Sequence, residues 1–195
     1  MPRPPDPDLE DRILKTADKL WRRGGEKSLT MRALARAAGT NTPAVYRRFK
    51  DRRDLVRGLL LRIASRVGEL FEAGKTVEEM IEVYVDFALR EAHEYELFYS
   101  HAYALNPPKT SGRPRPIRET RPNFALVEQR LAKQLGGSPE DHTRLAIALW
   151  AVAHGTTMLL LSKSIPEGHE QELRSAARTA VKVLLEGAAR FHQDK

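Results

Sequence analysis

The side chains best suited to bind a charged partner lie close together, near residue 45. Guanidinium, ammonium and phenol groups donate hydrogen bonds to phosphate oxygens, whereas hydroxyl, amide and methyl groups can contact the edges of bases. Both kinds of group occur here within eleven residues. The residue types therefore predict contact with a nucleic acid. They are Thr40, Asn41, Thr42, Pro43, Ala44, Tyr46, Arg47, Arg48 and Lys50.

The surrounding chain has the signals of two short helices joined by a tight turn. Thr30 can cap the first helix, and Gly39 stands where the chain must turn, a position that often needs a positive φ. Asn41 can cap the second helix, and Pro43 suits its first turn. The apolar spacing predicts that Leu34, Ala35, Ala38, Val45 and Phe49 point inward. Together these signals predict a helix-turn-helix, whose second helix enters the DNA major groove.

The positive charge of the chain is concentrated around this segment. The 195 residues carry a net charge of +7; residues 1–50 have twelve basic and six acidic side chains, and residues 51–195 have 21 and 20. A basic region on a near-neutral body is expected for a protein that neutralises phosphates. A solvated basic surface without a partner is the alternative.

Catalytic and metal-binding patterns are weak by comparison. The chain has no cysteine, which excludes disulfides, thiolate nucleophiles and cysteine-based zinc sites. His93 and His101 lie eight residues apart near acidic side chains, but exposed histidines are expected there rather than a metal site. The N-terminus lacks the apolar core of a secretory signal, and the apolar run 145–161 is short for a membrane span, so a buried helix is expected. No enzyme activity, cofactor, metal or membrane contact is predicted, and the expected location is cytoplasmic.

Helical periodicity continues through the rest of the chain and predicts an all-α fold of about nine helices. We expect a flexible proline-rich arm at residues 1–7, a helix-turn-helix head at 8–50 and a larger body at 51–195. The fourth helix leaves the head and can link it to the body. Outside the helix-turn-helix, helices are expected near 8–23, 51–71, from 76 onward, 92–105, 121–135, 138–163 and 170–192, with a loop at 106–118.

Over about its first 55 residues the chain resembles the TetR family of bacterial transcriptional regulators. The resemblance rests on Ile13-Leu14, Ala17, Gly25, Leu29-Thr30, Leu34-Ala35, Ala38-Gly39, Tyr46, Phe49 and Leu55. A shorter pattern, Trp150-x-x-x-His154-Gly155, is similar to one C-terminal subtype of the family. Arg48 and Arg52 replace a histidine and a lysine that are common in the family, and both keep a hydrogen-bond donor.

The resemblance and the residue chemistry together assign roles in DNA binding. Residues 40–44 form the leading end of the recognition helix, which usually meets the base edges. Tyr46, Arg47, Arg48 and Lys50 are expected to contact phosphates, which position a protein without reading sequence. Lys27 and Thr30 are expected to contact phosphates near the start of the second helix. Asn41 has the alternative role of a cap alone.

Aromatic side chains are concentrated in the body, where they form either a filled core or a small-molecule cavity. The cavity interpretation needs a few polar groups, and His154 lies one helical turn from Trp150. The alternative for His154 is an ordinary core histidine. The candidate pocket residues are Tyr84, Phe87, Phe98, Phe124, Trp150, His154 and Met158.

The last two expected helices are apolar around more of their surface than one protomer core requires. In the TetR family this pair forms a four-helix dimer interface, so the resemblance implies a homodimer that reads two half-sites of a palindrome. The resulting hypothesis is a dimeric repressor that binds double-stranded DNA and is released by an unknown small molecule. The alternatives are an architectural DNA-binding protein without an effector, and a helical enzyme with a basic head. The candidate interface residues are Ala153, Leu160, Ala177, Ala180, Leu184 and Ala188.

Overall fold

Ten α-helices account for most of the chain that the structure describes. The structure is a computed structural model; it describes residue 6, residues 8–105 and residues 115–193, and no strand occurs among them. The expected all-α fold is confirmed, with a short α7 as the additional helix. The α-helices are α1 Leu9–Ser28, α2 Met31–Ala37, α3 Thr42–Arg48, α4 Arg52–Ala73, α5 Val77–Arg90, α6 Ala92–Ser100, α7 Ile117–Thr120, α8 Phe124–Leu135, α9 Thr143–Leu161 and α10 Glu170–Gln193, and 3-10 turns cover Ala102–Leu105 and Pro139–His142.

The chain divides into two compact units. The head comprises Met1–Ile63 and Leu97–Pro108, and the body comprises Ala64–Glu96 and Lys109–Lys195. Helices α4 and α6 each contribute residues to both units. The boundary expected after residue 50 stays a prediction. The expected arm at 1–7 lies, apart from Asp6, outside the described residues, as does most of the expected loop at 106–118.

The core of the head is built around α1 and the first part of α4. Ile13 and Leu55 are fully buried. Close packing at Gly58 needs the absence of a side chain, because a β-carbon there would lie 3.0 Å from the Phe49 ring and 3.1 Å from Leu14 Cδ2. The inward-facing residues expected from the helix-turn-helix pattern, Leu34, Ala35, Ala38, Val45 and Phe49, are all buried, which confirms that prediction.

Helix α1 differs from the expectation that it ends at Gly24-Gly25. The backbone leaves the helical region at these two glycines, with φ +58° at Gly25, and a further turn continues to Ser28. The Ser28 hydroxyl lies within hydrogen-bond distance of the Leu20 and Gly25 carbonyl oxygens, at 2.5 and 2.8 Å. The glycines therefore kink the helix, and a side chain on the far side of the kink holds the extra turn in place.

The body has its own apolar core, to which α5, α8, α9 and α10 contribute. Its buried members are Val77, Phe124, Leu131, Ala146, Leu149, Val181 and Leu185.

The expectation of one continuous helix over 138–163 was wrong at its start. Ser138 and Asp141 do form the expected N-terminal hydrogen bonds, at 2.8 and 2.9 Å, but they cap a 3-10 turn. The His142 ring then donates to the Gly136 carbonyl oxygen at 2.7 Å. This bond fixes the turn before α9, and α9 begins only at Thr143.

Helix α9 exposes one apolar face, so the expectation that it is a buried helix was only partly right. Ile147, Met158 and Leu159 are between 37% and 44% exposed. Among the described residues, Pro139–Leu161 is the one stretch long and apolar enough to cross a membrane, and 28% of its apolar window is buried. The exposed face must be explained by a partner or an environment outside the protomer.

Candidate nucleic-acid interface and body cluster

Helices α2 and α3 are held at a fixed turn by local hydrogen bonds. The Thr30 hydroxyl accepts from the Ala33 amide at 3.1 Å, and the Asn41 side chain accepts from the Ala44 amide at 2.9 Å. Between them Gly39 has φ +64°. Both expected caps and the positive φ are confirmed. Because these features arise from neighbouring residues, the turn is specified locally.

Most of the predicted DNA-contacting side chains are exposed on this helix-turn-helix. Tyr46 is 50% exposed, which is unusual for an aromatic side chain next to the buried Val45. Thr40 and Thr42 are half-buried. The exposed members of the set are Lys27, Thr30, Asn41, Pro43, Tyr46, Arg47, Arg48 and Lys50.

Two members of the predicted set have other partners in the free protein. Ala44 is only 5% exposed and packs inside the head, so its methyl group has little surface for a base. Arg48 donates to the carbonyl oxygen of Asp6 at 3.2 Å, and Asp6 also pairs with Arg12 at 2.7 Å. Tyr46, Arg47 and Lys50 thus form the more accessible part of the anchoring set.

Two protein-family models match the chain. Residues 13–59 match the model of the bacterial regulatory proteins of the tetR family, and residues 77–184 match the model of the tetracyclin repressor-like C-terminal domain. The chain belongs to the TetR family. It is a transcriptional regulator with a helix-turn-helix DNA-binding domain. No curated protein sequence matches the chain.

Solved structures of similar proteins share the fold over nearly the whole chain. A protein of unknown function from Rhodococcus sp. RHA1 has a TM-score of 0.69 and 21% identity, covering 97% of this chain and 100% of its own. A TetR-family transcriptional regulator from Streptomyces coelicolor has a TM-score of 0.62 and 21% identity, with coverage of 92% and 99%. The multidrug binding protein EbrR complexed with ethidium has a TM-score of 0.62 and 20% identity, also with coverage of 92% and 99%. At these identities the likeness extends to the fold alone.

In the body of this TetR-family protein, three polar groups form a chain of hydrogen bonds between helices. The Tyr95 hydroxyl lies 2.6 Å from Nδ1 of His154 and 3.2 Å from the Tyr84 hydroxyl. Tyr95 is 3% exposed, and burial lowers the pKa of His154 below its ordinary value. Burial therefore favours the neutral ring, which can accept a hydrogen bond at one nitrogen and donate one at the other.

The residue before Tyr95, Glu94, forms an ion pair. The Arg66 guanidinium donates two hydrogen bonds to Glu94, at 3.0 and 2.6 Å, and Glu94 is 2% exposed. The same guanidinium lies 5.8 Å from the centre of the Phe87 ring, a cation–π distance. Phe87 is thus packed beside a polar group, as a pocket residue would be.

The other predicted pocket residues lie in different surroundings. Phe124 and Trp150 meet edge to face, with 6.4 Å between ring centres, at the apolar core of the body. Phe98 is assigned to the head, where it contacts Tyr99. Met158 is 44% exposed on the apolar face of α9. Their pocket roles stay predictions.

The predicted dimer residues are divided between the inside and the surface of the protomer. Ala153 is 3% exposed, and Leu184 packs against the core of the body. The remaining four, Leu160, Ala177, Ala180 and Ala188, are half-buried. Larger apolar surface is exposed at other positions, such as Val183, which is 61% exposed.

Two buried residues were missed by sequence reasoning. Tyr95 is absent from the predicted pocket residues, because its bond to His154 joins residues 59 positions apart. His101 was expected to be exposed, and that was wrong: it is 7% exposed and its ring meets Trp21 edge to face at 5.0 Å. Neither long-range contact has a local sequence signal. Among the described residues, no group of three or more potential metal ligands occurs.

Proposed function

We propose that the protein is a dimeric repressor that binds a palindromic DNA operator through two copies of α3. The observation that carries this proposal is the cap-and-turn geometry of α2 and α3, with Tyr46 half exposed beside buried Val45. A helix fixed in this way can enter the major groove without losing its contacts to the head. The family membership makes DNA binding the expected activity.

Within the operator complex, we assign reading and anchoring to different side chains. Thr42 and Pro43 contact base edges, because they lie at the leading end of α3. Thr42 is half-buried and Pro43 is exposed. Tyr46, Arg47 and Lys50 contact phosphates, and Lys27 and Thr30 do so from the end of α1 and the start of α2. Arg48 joins them if it releases the Asp6 carbonyl oxygen.

The assignment is tested by fluorescence anisotropy with an operator isolated by selection from random DNA. Tyr46→Phe removes a single hydroxyl, and the loss of one bond to a charged phosphate, worth about 1.5–3 kcal/mol, should weaken binding roughly tenfold or more. Arg47→Ala should weaken binding evenly across sequences and lower the salt slope by about 1. Thr42→Ala should instead relax the sequence preference.

Matched controls come from the same chain. Tyr103→Phe alters a tyrosine that is 56% exposed outside the helix-turn-helix, and Arg90→Ala removes an exposed arginine at the end of α5. Both should bind the operator as the wild type does. If Tyr46→Phe and Tyr103→Phe lose affinity equally, or neither does, the anchoring role of Tyr46 is wrong.

We propose that the second protomer covers the exposed apolar face of α9 and α10. In a monomer this face would expose large apolar side chains to water. They are Ile147, Met158 and Leu159 on α9 and Val183 on α10. The family resemblance favours a four-helix interface here, which removes the need for a membrane to cover α9. Of the six residues predicted from sequence, Leu160, Ala180 and Ala188 fit the edge of such an interface better than Ala153, which is buried.

We propose that a small molecule bound in the body releases the DNA. Helix α4 runs without interruption from head residues to body residues, so a change in the body has a covalent route to the head. The effector must favour one of two dimer conformations for the equilibrium to shift. The ethidium complex of EbrR, a protein of the same fold, supports a small-molecule effector, and we place it among the aromatic side chains of the body. Its polar contacts would come from the Tyr84–Tyr95–His154 chain. A cytoplasmic location follows from this role.

An architectural DNA-binding protein is the rival interpretation. It predicts protection that grows with DNA length, whereas the repressor predicts one protected palindrome at physiological salt. A footprint of a genomic fragment separates the two, and length-dependent coating would refute the repressor.

A further inference from the structure

We infer that the body carries a binding site for an uncharged, apolar small molecule in the groove formed by α5, α9 and α10. The groove has a volume of about 410 Å³, within the range of small-molecule sites. None of the aromatic residues assigned to the effector lines it, so it is a separate site. Its uncharged lining consists of Ile81, Val85, Thr156, Ala177, Val181 and Leu185.

The floor of the groove is apolar and has few free hydrogen-bonding groups. Val85, Val181 and Leu185 are between 2% and 6% exposed, so they are fixed by packing in the body. Thr156 contributes a hydroxyl, but its hydrogen is donated to the Val152 carbonyl oxygen at 2.8 Å. The free energy of binding in the groove would therefore come mainly from the hydrophobic effect.

The walls of the groove are charged side chains that pair across it. Acidic residues on α5 and basic residues on α10 both recur every four positions, so each row lies on one helix face. Arg174 pairs with Asp86 at 2.9 Å, and Arg178 pairs with Glu82 at 2.6 Å. These two ion pairs join α5 to α10; Glu82, Arg174 and Arg178 line the groove, and Asp86 lies outside its lining.

The next position along the two rows differs. Lys182 lies 3.8 Å from Glu186 on its own helix, and Glu78 accepts a hydrogen bond from Gln134 at 3.2 Å. Both side chains line the groove, as does Glu186, but neither of these contacts joins α5 to α10. The groove is consequently bridged at one end and accessible at the other, where a ligand can enter.

Charge balance indicates which ligands fit. The groove is lined by three acidic residues and three basic residues, so its walls carry no net charge. A charged ligand would lose hydration without finding a net opposite charge in the groove, whereas an uncharged apolar ligand loses little. The lining therefore favours an uncharged molecule.

The proposed dimer face does not occupy this groove. Val181 and Val183 are two residues apart, which places them on nearly opposite sides of α10. Val181 is 2% exposed and lines the groove, whereas Val183 is 61% exposed. A second copy that covers Val183 leaves the groove open to a small molecule.

The test uses the full-length protein and N-phenyl-1-naphthylamine, an uncharged dye that fluoresces in apolar sites. The wild type should give saturable binding at one site per protomer. Ala177→Trp fills the groove and should weaken binding at least tenfold. Lys133→Trp adds the same side chain at an exposed position of α8 outside the groove and should bind as the wild type does.

Circular dichroism establishes which variants are folded. Should Ala177→Trp unfold, Ala177→Leu decides, because a leucine at this half-buried position leaves the helix intact and still narrows the groove. Absence of saturable dye binding to the wild type would overturn the inference, and so would equal affinity in a folded Ala177 variant. Equal or tighter binding of the anionic dye 1-anilinonaphthalene-8-sulfonate would overturn the uncharged class. The measurement contains no DNA, so its failure leaves the repressor proposal unaffected.

Discussion

Asn123 and Gly68 form a keyed contact in which the side chain of one occupies the space that the other leaves empty. Asn123 donates from Nδ2 to the Ala64 carbonyl oxygen of α4 at 2.8 Å. A β-carbon on Gly68 would lie 2.9 Å from Oδ1 of Asn123, which is closer than two such atoms approach. Asn123 itself adopts φ +70°, a conformation that few side chains tolerate. The start of α8 is thereby fixed against the backbone of α4.

Gly68→Ala should destabilise the protein although alanine favours helices. The substitution gains about 1 kcal/mol of helix propensity, but overpacking against Asn123 costs about 1–3 kcal/mol and threatens its hydrogen bond. We expect a net loss of about 1 kcal/mol in urea unfolding.

The reverse sign is expected when Asn123 is replaced first. Asn123→Gly keeps the positive φ and removes the side chain, so Gly68→Ala in that background should stabilise the protein by about 1 kcal/mol. A Gly68→Ala effect that is the same in both backgrounds would contradict the keyed contact.

Arg118→Ala should destabilise the body strongly. Glu128 is fully buried; its Oε1 accepts from Thr143 at 2.6 Å and from Arg118 at 3.2 Å, and Arg118 also pairs with Glu140. Removing the guanidinium leaves a buried carboxylate without its cation, which costs about 3–5 kcal/mol. The measurement is urea unfolding.

Two further variants separate charge from packing. Arg118→Met combined with Glu128→Leu removes both charges and should recover most of the lost stability. Arg144→Ala removes an exposed arginine of α9 and should stay within about 0.5 kcal/mol of the wild type. If the double variant is as unstable as Arg118→Ala, buried charge is not the cause.

The protein should become less stable as the pH falls, because of the titration of His154. Burial lowers the pKa of the folded protein's His154 below the ordinary 6.5. In that range the unfolded chain binds more protons, so the stabilisation is fully present above about pH 6.5 and is lost as pH falls, with a slope of up to about 1.4 kcal/mol per pH unit. His154→Gln should flatten the urea-unfolding profile between pH 8 and 5.5. His93→Gln, at an exposed position, should leave it unchanged.

Gly155→Leu should break the proposed dimer without harming the protomer. A β-carbon on Gly155 meets no atom within 4 Å, and leucine favours a helix by about 1 kcal/mol over glycine. Across a dimer face the same side chain collides with the second copy. Light scattering should show the wild type at twice 22.1 kDa and the variant at 22.1 kDa. Lys133→Leu, exposed on α8, should remain dimeric; a dimeric Gly155→Leu would argue against this interface.

The helix-turn-helix could be predicted because its signals act over a few residues. Thr30 caps Ala33, Asn41 caps Ala44, and Gly39 turns the chain between them, so each contact is set by the spacing of neighbours. The end of α1 was predicted less accurately. Gly24-Gly25 correctly marked a break in the helix, but the Ser28 hydroxyl reaching back to Leu20 held another turn. The same kind of reach, from His142 to Gly136, moved the start of α9.

The sequence by itself determined the all-α fold, the DNA-binding motif and the family. Helical periodicity, caps and turns depend on local geometry, and the motif spacing is short. Only the tertiary structure decided that Tyr95 meets His154 across 59 residues, and that the acidic row of α5 faces the basic row of α10. It also decided which side of α10 is buried at Val181 and which is exposed at Val183. These relationships depend on how helices pack, and a packing partner far along the chain leaves no pattern near the residue it contacts.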